Sequence, residues 1–275
     1  MTTLWGETAG LPALEQRALS HGRMYVVPAG AAPSVLFVHG GFHGAWCWRP
    51  TIAYLAARGI RSAAVDLRGH GGLPQDETYI AQGVEAMTQD VLEAGRMLAE
   101  DYVLAGHSVG ALIAMKAAMD RKPRGRIRLA PAAPGNVPAG HALPRFPATR
   151  AVQAPGEERA RKWFLSGSSS PDIGAYLSLL CPESPRLLNE CFHDGVAVDP
   201  AAISVPTLCI SGAKDESPLH RRAQDRAIAE MYGAELRTVP RSGHCMMLDD
   251  GWEDTAREIH DWLTTRTSPS PTDRW

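Results

Sequence analysis

Residues 34–38, SVLFV, form a short continuous apolar run that ends in glycines, the pattern of a strand buried on both faces. Runs of the same kind recur at 23–27, 61–67, 101–105, 207–210 and 235–239, with a weaker one at 126–129. Helical periodicity fills the gaps between them. Ile80, Val84, Met87, Val91 and Leu98 recur at steps of three, four or seven, which predicts one amphipathic helix over 78–100. Residues 111–119 are apolar on nearly every face, as suits a helix buried behind a sheet. Trp252, Ala256, Ile259 and Leu263 make the stripe of a closing helix. Strands alternating with helices in this way predict an α/β fold with a parallel sheet.

One region interrupts the alternation. Between 131 and 147 the chain carries Pro131, Pro134, Pro138, Pro144 and Pro147, too many for any regular element. Three short helical patterns follow at 157–165, 172–180 and 185–192 before Val205 restarts the strand pattern. The expected organisation is a core of residues 1–134 and 203–275 with a helical cap, 135–202, inserted into it. The tail 267–275, TSPSPTDRW, is Pro- and Ser-rich and expected to fray. No internal repeat or low-complexity segment is visible.

Composition narrows the partners. Lys plus Arg number 28 against 30 for Asp plus Glu, a net charge of −2 that argues against a nucleic-acid binder. No stretch approaches the roughly 20 apolar residues that span a bilayer, and the first 14 residues lack a basic start and apolar run. Neither a membrane nor a nucleic acid is therefore an expected partner. Five scattered cysteines (Cys47, Cys181, Cys191, Cys209, Cys245) without a C-x-x-C pair fit a reduced, cytoplasmic chain with buried thiols. A Cys181–Cys191 bridge is the alternative.

The strongest chemical signal is Gly106-His107-Ser108-Val109-Gly110, between a predicted strand and a predicted helix. That is the setting of a G-x-S-x-G nucleophile elbow, where small neighbours allow a tight turn that projects the serine hydroxyl. A serine needs a base, itself oriented by a third group, and in this arrangement the acid and then the histidine follow it in the chain. Of ten histidines, His39, His43, His70 and His107 precede or adjoin the serine and His260 falls in a helix. His244, in Arg241-Ser242-Gly243-His244, follows the last strand and can reach the strand ends, where ligands bind in such sheets. For the acid, Asp215 follows the strand at 207–210, with Glu216 beside it as the competing choice. Residues 130–155 contain no Asp or Glu, which removes the other expected position.

An oxyanion requires two backbone N–H donors. Val109, at the start of the helix after Ser108, is expected to supply one. His39-Gly40-Gly41-Phe42 is expected to supply the other, from Gly41 or alternatively Phe42. Phe42, Trp163, Tyr176 and Met246 are candidate substrate contacts. Trp163, Phe164, Tyr176, Leu177, Leu180 and Phe192 can equally be the packing of short helices. Trp46, Trp48, His43 and Cys245 read as packing or structural groups, and Arg221 and Arg222 as a solvated face. No metal or organic cofactor is expected, since there is no H-E-x-x-H and no suitably placed G-x-G-x-x-G.

The motifs HGG at 39–41, DLRGHG at 66–71, GHSVG at 106–110, GAKDES at 212–217 and SGH at 242–244 resemble the α/β-hydrolase superfamily over nearly the whole chain. HGGFHGAWCW at 39–48 is particularly similar to the plant methylesterase and hydroxynitrile lyase branch. The resemblance implies the α/β-hydrolase fold: a mostly parallel eight-stranded sheet flanked by helices, with a helical cap after the sixth strand. It also implies a triad of Ser108, Asp215 and His244, with Gly41 and Val109 as oxyanion donors, and a serine hydrolase acting on an ester, lactone or related small acyl compound. A lyase or cofactor-free oxygenase using the triad as a base is the second expectation, and a ligand receptor with little turnover the third. Hydroxynitrile lyases of this kind carry threonine and lysine where this chain has Gly40 and Cys245, which argues against cyanohydrin cleavage.

Overall fold

A computed structural model describes residues 12–98, 101–137, 144–169 and 172–266. The tail at 267–275 and residues 138–143 of the proline-rich stretch lie outside these. Eight strands form one sheet: β1 (Glu15–Ala18), β2 (Arg23–Val26), β3 (Ala31–Val38), β4 (Ile60–Asp66), β5 (Tyr102–His107), β6 (Gly125–Leu129), β7 (Thr207–Gly212) and β8 (Glu235–Val239). Their order is β1-β2-β4-β3-β5-β6-β7-β8. The two pairings of β2 are antiparallel and all others parallel. This is the α/β-hydrolase arrangement that the sequence implies.

The strand that periodicity does not reveal is β1. Its Glu15, Gln16 and Ala18 are exposed, so it has no apolar face to read, and charge on an edge strand discourages further pairing. The central strands behave as their sequences require. Val35 to Val38 and all of β5 are buried. Strand β6, GRIRL, reads weakly because two arginines interrupt it, yet both are buried. Arg126 donates to the Ile203 carbonyl at 2.7 Å and to Thr207 Oγ1 at 2.9 Å, and Arg128 lies over the Tyr232 ring. Burial pushes these guanidiniums down to about 9 and about 10.

The main helices are α1 (Arg49–Ala56), α2 (Val84–Met97), α3 (Val109–Asp120), α7 (Arg222–Met231) and α8 (Trp252–Arg266). Helix α1 packs on α8, and α2 on α3. Helix α2 starts six residues later than the apolar spacing predicts. A 3₁₀ turn over Tyr79–Ala81 precedes it, and Gln82 and Gly83 are extended. The cause is long-range: Glu190 caps the helix by accepting the Val84 N–H at 2.7 Å, and a side chain at Gly83 would overlap that carboxylate.

Among the described residues between β6 and β7 lie three short helices, α4 (Glu157–Trp163), α5 (Ile173–Leu179) and α6 (Pro185–Asn189). Asp172 and Ser184 cap the last two by accepting N–H groups of Ala175 and Leu187. A π turn over Glu190–Asp194 follows, ended by Gly195 at φ 78°. All five cysteines are free thiols, with Cys181 half-buried and the others buried. Among the described residues no helix is long and apolar enough to cross a membrane.

The closest packing in the sheet lies where β3, β5 and α3 meet. A Cβ on Gly110 would overlap the His39 carbonyl oxygen, and one on Gly106 would sit 2.5 Å from the Gly110 oxygen. These obstacles are backbone atoms in central elements, so relief requires α3 to move off the sheet. Gly110→Ala is therefore expected to cost more than ~3 kcal/mol, beyond the usual range for an added methyl. Thermal denaturation checks this, and a Tm equal to the parent's contradicts the packing argument.

Candidate active site

Ser108 joins β5 to α3 with φ 52° and ψ −125°, a conformation an L-residue adopts only under constraint. Among the described residues, the non-glycine residues with positive φ are Phe42, Ser108 and Ala130. They follow β3, β5 and β6, at the C-terminal ends of three neighbouring parallel strands. Backbone strain of this kind concentrates at functional sites. Ser108 is held by its N–H to the Leu129 carbonyl and by its own carbonyl, which accepts from Ala111 and Ala132, all at 3.0 Å.

His244 and Asp215 arrive from the loops after β8 and β7. His244 Nε2 lies 3.2 Å from Ser108 Oγ, and Nδ1 lies 2.8 Å from Asp215 Oδ2. An ionised carboxylate only accepts, so Nδ1 carries the proton and Nε2 is free to accept from the serine. The Asp215 carboxylate is fully buried, while neighbouring Glu216 points to solvent. Burial alone would raise the Asp215 pKa. The adjoining His244 imidazole and hydrogen bonds from His220 and His244 outweigh it and hold the group well below the usual carboxylate range. Asp215 Oδ1 accepts the Ser217 N–H at 2.9 Å, and Oδ2 accepts a second imidazole, His220 Nδ1, at 2.7 Å. His107 Nε2 donates to the His244 carbonyl at 3.0 Å and anchors that loop.

Two further histidines fix the glycine loop after β3. His39 Nε2 accepts the Leu67 N–H at 3.2 Å, so its Nδ1 carries the proton and donates to the Gly40 carbonyl at 2.8 Å. A trans peptide points its N–H away from its C=O. With the Gly40 carbonyl held by His39, the Gly41 N–H therefore faces the opposite way. The next peptide is clamped at both ends. His43 Nδ1 donates to the Gly41 carbonyl at 2.7 Å, and the Phe42 N–H donates to Glu183 Oε2 at 3.1 Å. Phe42 thus spends its N–H on Glu183. His43 Nε2 meets the Tyr176 hydroxyl at 2.8 Å, and burial pushes this imidazole down to about 4.

Gly41, Ser108, Val109 and His244 line one small cavity of about 10 Å³, together with Phe42, Phe164 and Leu219. The sequence model of the Alpha/beta hydrolase family matches residues 35–258. The chain belongs to the α/β-hydrolase family. A probable esterase of Oryza sativa subsp. indica is 39% identical over 90 residues, 32% of this chain and 34% of that protein. The chain therefore matches about a third of the length of that relative. The pFDCC methylesterase MES16 of Arabidopsis thaliana is 27% identical over 240 residues, 78% of this chain and 89% of its own. The crystal structure of MES16 from Arabidopsis superposes with a TM-score of 0.68 at 22% identity, covering 85% of this chain and 99% of that one. An esterase from Exiguobacterium antarcticum matches at TM-score 0.68 and 19% identity, over 93% and 100% of the two chains. These likenesses show the shared fold, and the relatives include the plant methylesterases that the loop at 39–48 resembles.

In this α/β-hydrolase the room beside Ser108 amounts to about one water molecule. A second cavity of about 400 Å³ adjoins it, sharing Phe42, Leu188 and Leu219 as walls. Phe146, Trp163 and Arg159 are among its other linings. Of the four candidate substrate contacts, Phe42 lines both cavities and Trp163 the larger. Tyr176 and Met246 are fully buried and line neither. A cavity of about 430 Å³ elsewhere, between β2, β4, α1 and residues 178–181, contains none of Ser108, Asp215 or His244.

Glu183, which no motif singles out, carries much of this geometry. Its buried carboxylate accepts from Phe42 N–H, His70 Nε2 at 3.0 Å, Tyr79 hydroxyl at 2.9 Å and Ser184 N–H at 2.8 Å. Burial would raise Glu183, but the His70 charge and these hydrogen bonds lower it below its ordinary 4.5. Burial would lower His70, but the Glu183 charge and hydrogen bond raise it above 6.5. Stability from the lowered acid is present above pH 4.5 and lost as pH falls through its folded pKa. Stability from the raised base is full below pH 6.5 and lost as pH rises through its folded pKa. The pair therefore contributes most between these limits. Glu183→Gln is expected to lose about 3–5 kcal/mol near pH 6, with a smaller deficit at pH 9. Denaturant melts at the two pH values check this, and an equal deficit at both contradicts the ion pair.

Proposed function

We propose that this chain hydrolyses a small carboxylic ester, lactone or related acyl compound through Ser108, His244 and Asp215. The observation that carries the reading is the continuous hydrogen-bonded line from Ser108 Oγ through His244 to the buried Asp215, beside the Gly41 and Val109 amides. Esterases and methylesterases among its relatives support the same class of reaction.

In this reading His244 Nε2 takes the Ser108 proton as Oγ attacks the acyl carbon. Asp215 holds the imidazole in the productive tautomer and stabilises its cation. The Gly41 and Val109 N–H groups receive the developing oxyanion. Val109 is the first residue of α3, where the positive end of the helix dipole favours negative charge. The tetrahedral adduct collapses to an acyl-Ser108 ester as His244 protonates the departing alcohol. Water, deprotonated by His244, then attacks the acyl carbon. The acid leaves and Ser108 regains its proton.

The helices between β6 and β7 act here as a cap. The apolar part of the substrate occupies the 400 Å³ cavity, and Phe42, Leu188 and Leu219 stand between it and the nucleophile. Entry of a substrate requires these three side chains to part, since the space at Ser108 holds only about one water.

Steady-state hydrolysis of an ester, thioester, lactone and amide panel tests the reading. Turnover of at least one ester is expected, and Ser108→Ala is expected to lower kcat by about 10⁶. A folded Ser108→Ala variant with parental turnover overturns it.

The oxyanion assignment has its own test. Gly41→Pro deletes one N–H donor and is expected to lower kcat and kcat/KM together by about 10²–10³. Gly41→Ala keeps the donor; its Cβ would sit 3.3 Å from Glu183 Oε2, tight but without a positive φ, so it should retain more activity. Near-parental kcat in a folded proline variant contradicts the assignment.

A further inference from the structure

His220 lies outside every motif in the chain, yet its side chain is only 1% exposed between two buried carboxylates. Nδ1 meets Asp215 Oδ2 at 2.7 Å and Nε2 meets Asp225 Oδ1, at the start of α7, at 2.8 Å. A neutral imidazole has one N–H and cannot donate to both. Asp215 has no room for the missing proton, because its oxygens already accept from His244, His220 and Ser217.

We propose that His220 is a resident imidazolium that positions and tempers Asp215, extending the line from Ser108 to Asp225 as a five-member buried network. This rests on the triad reading above. Asp215, His220 and His244 offer donor atoms within 4.8 Å of one another, a grouping that can hold a cation. Here the two imidazoles converge on one oxygen at hydrogen-bond distances, which accounts for the cluster without an ion. Burial opposes charge on His220, but hydrogen bonds and charge from Asp215 and Asp225 outweigh it and hold the ring up to about 9.

Two effects follow. Oδ2 of Asp215 receives two N–H groups and Oδ1 a third, so the carboxylate has a single orientation toward His244. The His220 and His244 rings are 5.4 Å apart, and a fixed cation at that distance disfavours a second one. Asp225, behind His220, returns the cluster's net charge to −1, so the imidazolium formed during turnover is still stabilised.

Other groups face these rings. His43 and His107 are kept neutral by burial. Cys245 adjoins His244, and burial raises its thiol. Asp249, which accepts the Gly243 N–H, is pushed up to about 6 by burial and titrates in the same range. Comparing variants with the parent cancels these shared contributions.

The test is kcat/KM against pH on one activated ester for the parent, His220→Gln, Asp225→Asn and Ser108→Ala, each with a Tm. His220→Gln is expected to move the acid limb upward by about one unit, and both network variants are expected to lower kcat. A merely structural role would lower the amount of folded enzyme without moving that limb. Parental activity in Ser108→Ala means that the triad reading has failed. An inactive Ser108→Ala with an unmoved acid limb in folded His220→Gln means that the His220 role has failed. Nitrogen-15 spectra of the unaltered protein at pH 7.5 need no variant: both His220 ring nitrogens should carry protons. A neutral His220 tautomer there overturns the proposal.

Discussion

Holding a serine at φ 52° costs about 1–3 kcal/mol, and the centre of the molecule is built around meeting that cost. The turn exists because β5 is clasped by β3 and β6, and the backbones of β6, the residues after it and α3 take up the hydrogen bonds that a strained residue would otherwise lose. Leu129 accepts the Ser108 N–H, and the Ser108 carbonyl accepts two donors. Gly106 and Gly110 let α3 descend onto the strands until a single methyl would not fit. Once the serine is fixed, the ends of β3, β7 and β8 need only bring short loops to it.

Those loops are rich in buried histidine, and the partner of each ring decides its charge. His39, His43 and His107 face backbone carbonyls; burial prevails and they are held neutral. His70 and His220 face buried carboxylates, and there the opposite charge prevails. The neutral rings fix peptide orientation in the glycine loop and behind His244. His70 joins elements 113 residues apart through Glu183, whereas His220 ties together two acids that lie five residues to either side of it. His244 has a carboxylate on one side and a serine on the other, as the proposed role of a base requires.

Local patterns make much of this legible in the amino-acid sequence. Buried strands such as 34–38 announce themselves as apolar runs, and GHSVG between strand and helix carries its own geometry. His244 and Asp215 follow from chain order after the elbow, and the fold brings both to Ser108. Elements whose cause is remote stay hidden. The late start of α2 depends on Glu190, over a hundred residues away. Edge strand β1 has no apolar face to detect. Glu183 meets Phe42, His70 and Tyr79 across more than a hundred residues, and a buried acid in a helical insertion looks like any solvated one. His220 meets Asp215 and Asp225 five residues to either side, a spacing that no motif marks. Tyr176 illustrates the converse: an aromatic in a short helix reads equally as pocket wall or packing, and here its hydroxyl engages buried His43.

The central claim is that Ser108, projecting from the strained turn, is the nucleophile that forms an acyl-enzyme. Reaction with a fluorophosphonate, read by intact mass and then by peptide mapping, addresses it directly because the probe traps the activated nucleophile covalently. One adduct per chain is expected, on Ser108, and none in a folded Ser108→Ala variant. An adduct on Cys245, or an active enzyme that takes up no probe, would contradict it.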